Sequence, residues 1–374
     1  MASPPSRLRR LALDGITTVL VLALLLAITE GLFRIFSPGL SLPQRPSTET
    51  PGVEPGLPRL HLEEDFAQPG VRGLTAGALY TANRDGFRGR ERPRVKPENV
   101  ARIAILGDST AMGWGVENDE TYAARLEERL EERLEERPND GERSGPVEVL
   151  NFAIAGLNST GVLQRLEDLA IDFRPDIVVY GYSINDIEGP AYRRSLDREY
   201  AASLFRHDSP SQLWRWLRPR WLAFRELVLT PRGSFAFELD ENYFENPEAW
   251  AVVRENFDRL ARLGQEFDFC GVLLVHTQMQ ALNTLHPYKR HYAAIAGAAR
   301  ESGLVAVESL ERFRAEDASS LWVNSNDRHA NARGHAVFAE ILADALDDLP
   351  ASCWGASANP DSSLSNADSV RGAK

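Results

Sequence analysis

With 374 residues, 43% of them hydrophobic and 26% charged, the chain can bury the core of one large α/β domain plus extras, or of two modest domains. The formal net charge of −12 argues against nucleic acid as a partner, because that role selects a basic face. Two cysteines, with no Cys-x-x-Cys and no His/Cys cluster, give no metal site and imply no cofactor.

The chain opens with Arg7, Arg9 and Arg10, followed by the uncharged run Gly15 to Thr29, GITTVLVLALLLAIT. These fifteen residues fall short of the ~20 that span a bilayer and fit a secretory apolar region. Leu11–Leu13 and Leu32–Phe36 extend the run if Asp14, Glu30 and Arg34 sit near the interfaces. Ala27-x-Thr29 is a poor cleavage site, so residues 1–36 read as a cytoplasmic tip and an uncleaved transmembrane signal anchor. Arginines ahead of the span place everything after it outside, which predicts a single-pass protein with its main domain periplasmic or on the cell surface. The expected partners are the membrane, through this anchor, and a small-molecule or polymeric substrate.

Residues 37–79 read as a proline-rich linker, with Pro38, Pro43, Pro46, Pro51, Pro55 and Pro58, and an irregular lead-in. From residue 80 to 350 the pattern alternates. Arg102–Leu106, Val147–Phe152, Ile177–Tyr182, Gly271–His276 and Leu304–Glu308 are short apolar runs expected of buried parallel strands. Helical patterns lie between them at Tyr122–Arg137, Thr160–Phe173, Glu248–Phe267 and Tyr288–Ser302, and a last one runs from Ala332 to Leu346, capped by Asn331. Leu-Glu-Glu-Arg occurs three times between Leu126 and Arg137, which fits an exposed structural helix. Residues 188–247 interrupt the alternation and carry a Trp/Arg-rich stretch, Ser211 to Trp221, suited to a lid, to plain packing or to contact with membrane headgroups. Cys270 and Cys353 are compatible with an oxidising compartment and could pair, but nothing in their spacing forces a disulfide, and Cys270 also fits a buried thiol at the start of a strand. Residues 351–374 read as a disordered tail.

The organising stretch is Ile103-Ala104-Ile105-Leu106-Gly107-Asp108-Ser109-Thr110, a buried strand whose carboxyl end delivers a serine to the start of a helix. On its own this octet fits a nucleophile or an ordinary Gly-Asp-Ser turn. Three further stretches fall at the same edge. Gly156, after the second strand, can present an unobstructed backbone N–H, and Asn185, after the third, can offer its amide to the same oxyanion. Asn326-Asp327-Arg328-His329 precedes the last helix, where His329 can act as general base toward Ser109 and Asp327 can hold its other nitrogen.

Gly107-Asp108-Ser109, Gly156, Asn185-Asp186 and Asp327 with His329, in that order, resemble the four blocks of the SGNH (GDSL-type) hydrolases over about residues 80 to 348. The resemblance implies a three-layer α/β/α, flavodoxin-like fold with a five-stranded, mainly parallel sheet. It implies a catalytic Ser109-His329-Asp327 triad and an oxyanion hole of Ser109 N–H, Gly156 N–H and the Asn185 side chain. Two departures stand out. Ser183 takes the place of the glycine usual two residues before the asparagine, and the acid lies two residues before His329 where the family often has it three before, a place held here by Asn326. The expected function is a serine esterase acting through an acyl-enzyme on a carbohydrate O-acyl ester, a lipid or a similar ester. The alternatives are an O-acyltransferase modifying a cell-envelope polysaccharide, a phospholipase held at the bilayer, and a non-catalytic carbohydrate-binding or assembly relative.

Overall fold

The computed structural model describes residues 57–60, 63–136, 145–187, 239–282, 286–324 and 327–355, together with 17–18, 21–22, 24–32, 34, 211, 213 and 214. Asn326, most of the proline-rich linker, most of the Trp/Arg-rich stretch and residues 356–374 lie outside the described residues. The chain divides into two units, residues 1–47 with 191–238 and residues 48–190 with 239–374.

The first unit contains the apolar N-terminal run. Its described residues from 17 to 34 are helical, and Leu22, Leu24 and Leu26 are 55%, 61% and 60% exposed. Among the described residues no helix is long and apolar enough to cross a membrane. Glu30 is the polar anchor of this unit. It pairs with Arg34 at 2.9 Å and accepts from the Ser211 hydroxyl at 2.8 Å and the Leu213 N–H at 2.9 Å.

The second unit is built on β3 (Ala101–Gly107), β4 (Val147–Asn151), β5 (Ile177–Tyr182), β6 (Cys270–Val275) and β7 (Val305–Glu308). All four pairings are parallel, in the order β4-β3-β5-β6-β7, which is the 2-1-3-4-5 order of flavodoxin-like sheets. Every residue of β3 and β5 is buried, as the unbroken apolar runs of central parallel strands require. Helices α2 (Tyr122–Glu136) and α6 (Ala332–Asp347) pack together, and α3 (Ser159–Asp168) packs on α4 (Pro247–Phe267), which touches α5 (Lys289–Glu301). The repeated Leu-Glu-Glu-Arg helix is less exposed than its charge suggests. Leu126 and Leu130 are fully buried, while Arg129 and Arg133 bridge to Glu340, Asp344 and Asp347 of α6. As expected, Asn331 caps α6, accepting from the N–H groups of Arg333 and Gly334.

The lead-in, irregular by sequence, carries a hairpin of β1 (Arg72–Thr75) and β2 (Ala78–Thr81). It is tied to the domain where the Gly115 N–H donates to Thr75 and the Leu79 N–H to Glu117. Residues 239–247, at the end of the predicted interruption, belong to this unit as well. Leu239 and Tyr243 are buried, and the Tyr243 hydroxyl donates to the Ile184 carbonyl at 2.8 Å. A disulfide joins Cys270, at the start of β6, to Cys353 in the final turn. It closes a loop of 83 residues that contains β7, α5, α6 and the β8–β9 hairpin (Trp322–Asn324 and Asp327–Ala330). A loop of that length is expected to contribute about 4.5 kcal/mol through the entropy it removes from the unfolded chain. Denaturant unfolding with and without reductant measures this, and a Cys270→Ser/Cys353→Ser variant should match the reduced protein.

Candidate active site

The site lies at the carboxyl edge of the sheet, where β3 runs out. Gly107 has φ +146°, and a Cβ there would come within 2.5 Å of the Gly181 carbonyl oxygen and 2.6 Å of the Ala111 Cβ. Only glycine lets the chain turn at that point. Asp108 then caps a short helix, α1 (Ser109–Met112), by accepting from the Thr110 N–H, so Ser109 is its first residue. The helix stops at Gly113, which is left-handed with φ +91°. Its last carbonyls are held by Arg88, a buried guanidinium that donates to Met112, Gly113 and Val116 and to the Asn118 side chain. Burial pushes the Arg88 pKa down to about 10, still leaving it charged, with Tyr80 and Glu117 opposing the shift.

Two loops close around this turn. After β4, the Phe152 and Ile154 N–H groups continue the ladder to Ile105 and Gly107, and the Asn151 amide donates to the Ala111 carbonyl. The loop then turns at Gly156, φ +93°, whose N–H meets no acceptor among the described residues. After β5, Asp186 braces the next loop by accepting from the Tyr180 hydroxyl and the Ser183 N–H. Asn185 donates its amide to Asp108 Oδ2 at 3.3 Å.

The β8–β9 hairpin supplies the remaining groups. His329 Nε2 is 2.9 Å from Ser109 Oγ, and its Nδ1 is 2.6 Å from Asp327 Oδ1. Strand alternation puts Asp327 and His329 on one face of β9, so the compressed Asp-x-His spacing still lets the carboxylate reach the ring. The same Oδ1 accepts from the His329 backbone N–H, and Oδ2 accepts from the Trp114 indole at 2.9 Å. Both carboxylate oxygens are therefore fixed, and the indole lies 5.9 Å from the imidazole, centre to centre.

The electrostatics follow from these contacts. Burial opposes charge on His329, but the Asp327 carboxylate, in direct contact, outweighs it with help from Asp108 and raises the imidazole pKa above its ordinary 6.5. Burial likewise pushes Asp327 up, and its interactions with His329 and Trp114 overcome that and hold it below the usual 3.8. The structure thus brings Ser109, His329 and Asp327 into one hydrogen-bonded line, places Asn185 beside it through Asp108, and sets Gly156 on the neighbouring loop. Nothing in the sequence marks Trp114 beyond its position between Gly113 and Gly115 just after the serine. His335 packs beneath the site with Nδ1 accepting from the Tyr122 N–H, as expected of a core histidine. His276, which shows no partner in the sequence, lies 3.2 Å from Ser183 Oγ. NMR titration of His329 should give a pKa above 6.5, and Asp327→Ala should lower it, because burial is then opposed by Asp108 alone.

Residues 105–337 match the GDSL-like Lipase/Acylhydrolase family. Among solved structures, the chain is similar to the acetyl xylan esterase AlAXEase, at 14% identity over 66% of this chain and 99% of that one, with a TM-score of 0.38. It is similar to TesA at 14% identity, covering 66% of this chain and 98% of that one, with a TM-score of 0.39. It is also similar to the acetylxylan esterase Axe2 of Geobacillus stearothermophilus at 12% identity, over 66% and 94% of the two chains, with a TM-score of 0.39. No curated protein matches the chain. The protein, matched over most of its length, belongs to the GDSL-like lipase/acylhydrolase family and is an enzyme that hydrolyses esters.

Proposed function

We propose that Ser109 is the nucleophile of an acyl-enzyme mechanism, with His329 as general base and Asp327 as its charged partner. The observation that carries this reading is the unbroken line from Ser109 Oγ through both ring nitrogens of His329 to Asp327. As Oγ attacks the ester carbonyl, its proton passes to Nε2, and the imidazolium that forms is stabilised by Asp327. The carbonyl oxygen becomes an oxyanion, for which the donors are the Ser109 N–H, the Gly156 N–H and the second hydrogen of the Asn185 amide. Collapse expels the alcohol, which takes the proton from Nε2. Water then attacks the acyl-enzyme by the same route in reverse, and a sugar hydroxyl in its place would make the reaction an acyl transfer.

The proposed substrate is an O-acyl ester of a cell-envelope carbohydrate or lipid, met outside the cytoplasm. Two features support that location. The Cys270–Cys353 disulfide suits an oxidising compartment, and the arginine-flanked apolar run exposes leucines that a bilayer would cover.

A fluorophosphonate probe should label Ser109, and Ser109→Ala should abolish both labelling and turnover of a short-chain aryl ester. Asp327→Asn should lower kcat by about 10⁴ near neutral pH, since the amide stabilises the wrong tautomer and no imidazolium. Protonated His329 cannot accept from Ser109, so kcat/KM should fall on acidification with a midpoint above 6.5. Robust activity of the Ser109→Ala protein would overturn the assignment. The full-length protein should stay with membranes through high-salt and carbonate washes, whereas a chain beginning at Leu60 should be soluble and active. A freely soluble mature protein beginning near Glu30 would make the N-terminal run a cleaved export signal.

A further inference from the structure

Beneath Asn185 runs a buried polar chain that the mechanism above does not use. Ser183, which stands where relatives usually have glycine, is fully buried. Its hydroxyl lies between two groups, 2.7 Å from Asp108 Oδ1 and 3.2 Å from His276 Nδ1. A carboxylate oxygen only accepts, so the one hydroxyl hydrogen goes to Asp108, and His276 must donate from Nδ1 to the serine oxygen. This fixes the His276 tautomer and leaves a lone pair on Nε2. Nε2 has no hydrogen-bond partner among the described residues, and neither does the Tyr122 hydroxyl. Both face one spot, since a Cβ on Gly181 would stand 2.8 Å from Nε2 and 2.6 Å from the Tyr122 oxygen. Burial pushes the His276 pKa down to about 4 against the pull of Asp108, so at neutral pH the ring is an uncharged donor.

At the other end of the chain, Asp108 Oδ2 accepts one hydrogen of the Asn185 amide. The amide has two, and holding the first fixes where the second points. It also settles which end of the side chain is nitrogen, because an amide oxygen facing Asp108 would repel it.

We propose that Ser183 and His276 are positioning residues for Asn185: His276 donates to Ser183, Ser183 donates to Asp108, and Asp108 holds one amide hydrogen so that the other is aimed at the oxyanion. The proposal rests on the oxyanion role given to Asn185 above. Direction matters in this chain. Each donor points toward Asp108, so no member can reverse without leaving a buried polar atom unpaired.

A double-mutant cycle separates this role from packing. Kinetics and melting temperature are measured for Ser183→Ala, His276→Phe and His276→Asn, each alone and combined with Asn185→Ala. Ser183→Ala and His276→Phe should each lower kcat about tenfold with KM within about twofold of wild type. His276→Asn, whose amide nitrogen takes the place of Nδ1, should restore most of that loss. In the Asn185→Ala background, Ser183→Ala should cost less than about twofold, because the group it positions is gone. Should Ser183→Ala fail to fold, Ser183→Gly, the usual family residue, takes its place in the cycle. Equal losses in both backgrounds, or no rescue by asparagine, would assign the pair to packing and overturn the proposal. A large Asn185→Ala loss beside an indifferent Ser183→Ala would overturn the relay alone. An Asn185→Ala loss below about threefold would remove the oxyanion reading and the relay with it.

Discussion

The carboxyl edge of the sheet depends on two glycines standing side by side. Gly107 of β3 and Gly181 of β5 are register partners, and a side chain on either would collide with its surroundings. A Cβ on Gly107 would strike the Gly181 carbonyl, and one on Gly181 would strike His276 and the Tyr122 hydroxyl. With both side chains absent, the two strands end close enough for Asp108 to accept from Ser183 and Asn185 on the next loop. Asp108 also caps α1, so the same carboxyl group sets the serine and the amide in one frame. Alanine at either glycine would move both together.

The rest of the site is held by groups remote in sequence. Arg88 reaches from the segment between β2 and β3 to carbonyls 24 to 28 residues away and fixes the turn that follows the serine. Trp114 secures Asp327 across 213 residues. Both supply N–H donors to oxygens that would otherwise be buried unpaired or free to rotate, which is where a hydrogen bond matters most. Ser109 and its neighbours are therefore held by the segment that carries Arg88, by α1 with Trp114 after it, and by the β8–β9 hairpin.

Much of this fold is legible in the sequence, because central parallel strands leave an unmistakable pattern. Ile177 to Tyr182 is apolar on both faces, and it is buried on both faces. Ser109 and Asn185 stand out because each follows such a run, where only loop chemistry decides the residue, and His329 stands out by an acid two residues before it, just ahead of a capped helix. The β1–β2 hairpin does not. Its two-residue turn, Ala76-Gly77, has both residues at positive φ, 46° and 99°, a conformation usually flagged by Asn-Gly. Alanine at the first position hides the signal. Arg88, Trp114 and His276 were hidden for a different reason. An arginine, a tryptophan or a histidine in a loop carries no trace of which distant carbonyl, carboxylate or hydroxyl it will meet. The Leu-Glu-Glu-Arg repeat misled in the opposite sense, since its charge reads as solvent-facing while its arginines bridge to α6.

The separation of the serine and its imidazole also sets an order of events. Ser109 and His329 are 220 residues apart in the chain. During synthesis at roughly 5–20 residues per second, the serine emerges some ten to forty seconds before the ring that meets it. Once β5 is complete at Tyr182, well before His329 is made, β3, β4 and β5 can pair while the Ser109 hydroxyl still has no imidazole beside it. The hairpin that brings the ring lies inside the loop closed by Cys270 and Cys353, and that loop closes only once residue 353 has been made. The contact between the Ser109 hydroxyl and its imidazole is thus completed long after the strand that carries the serine has been made.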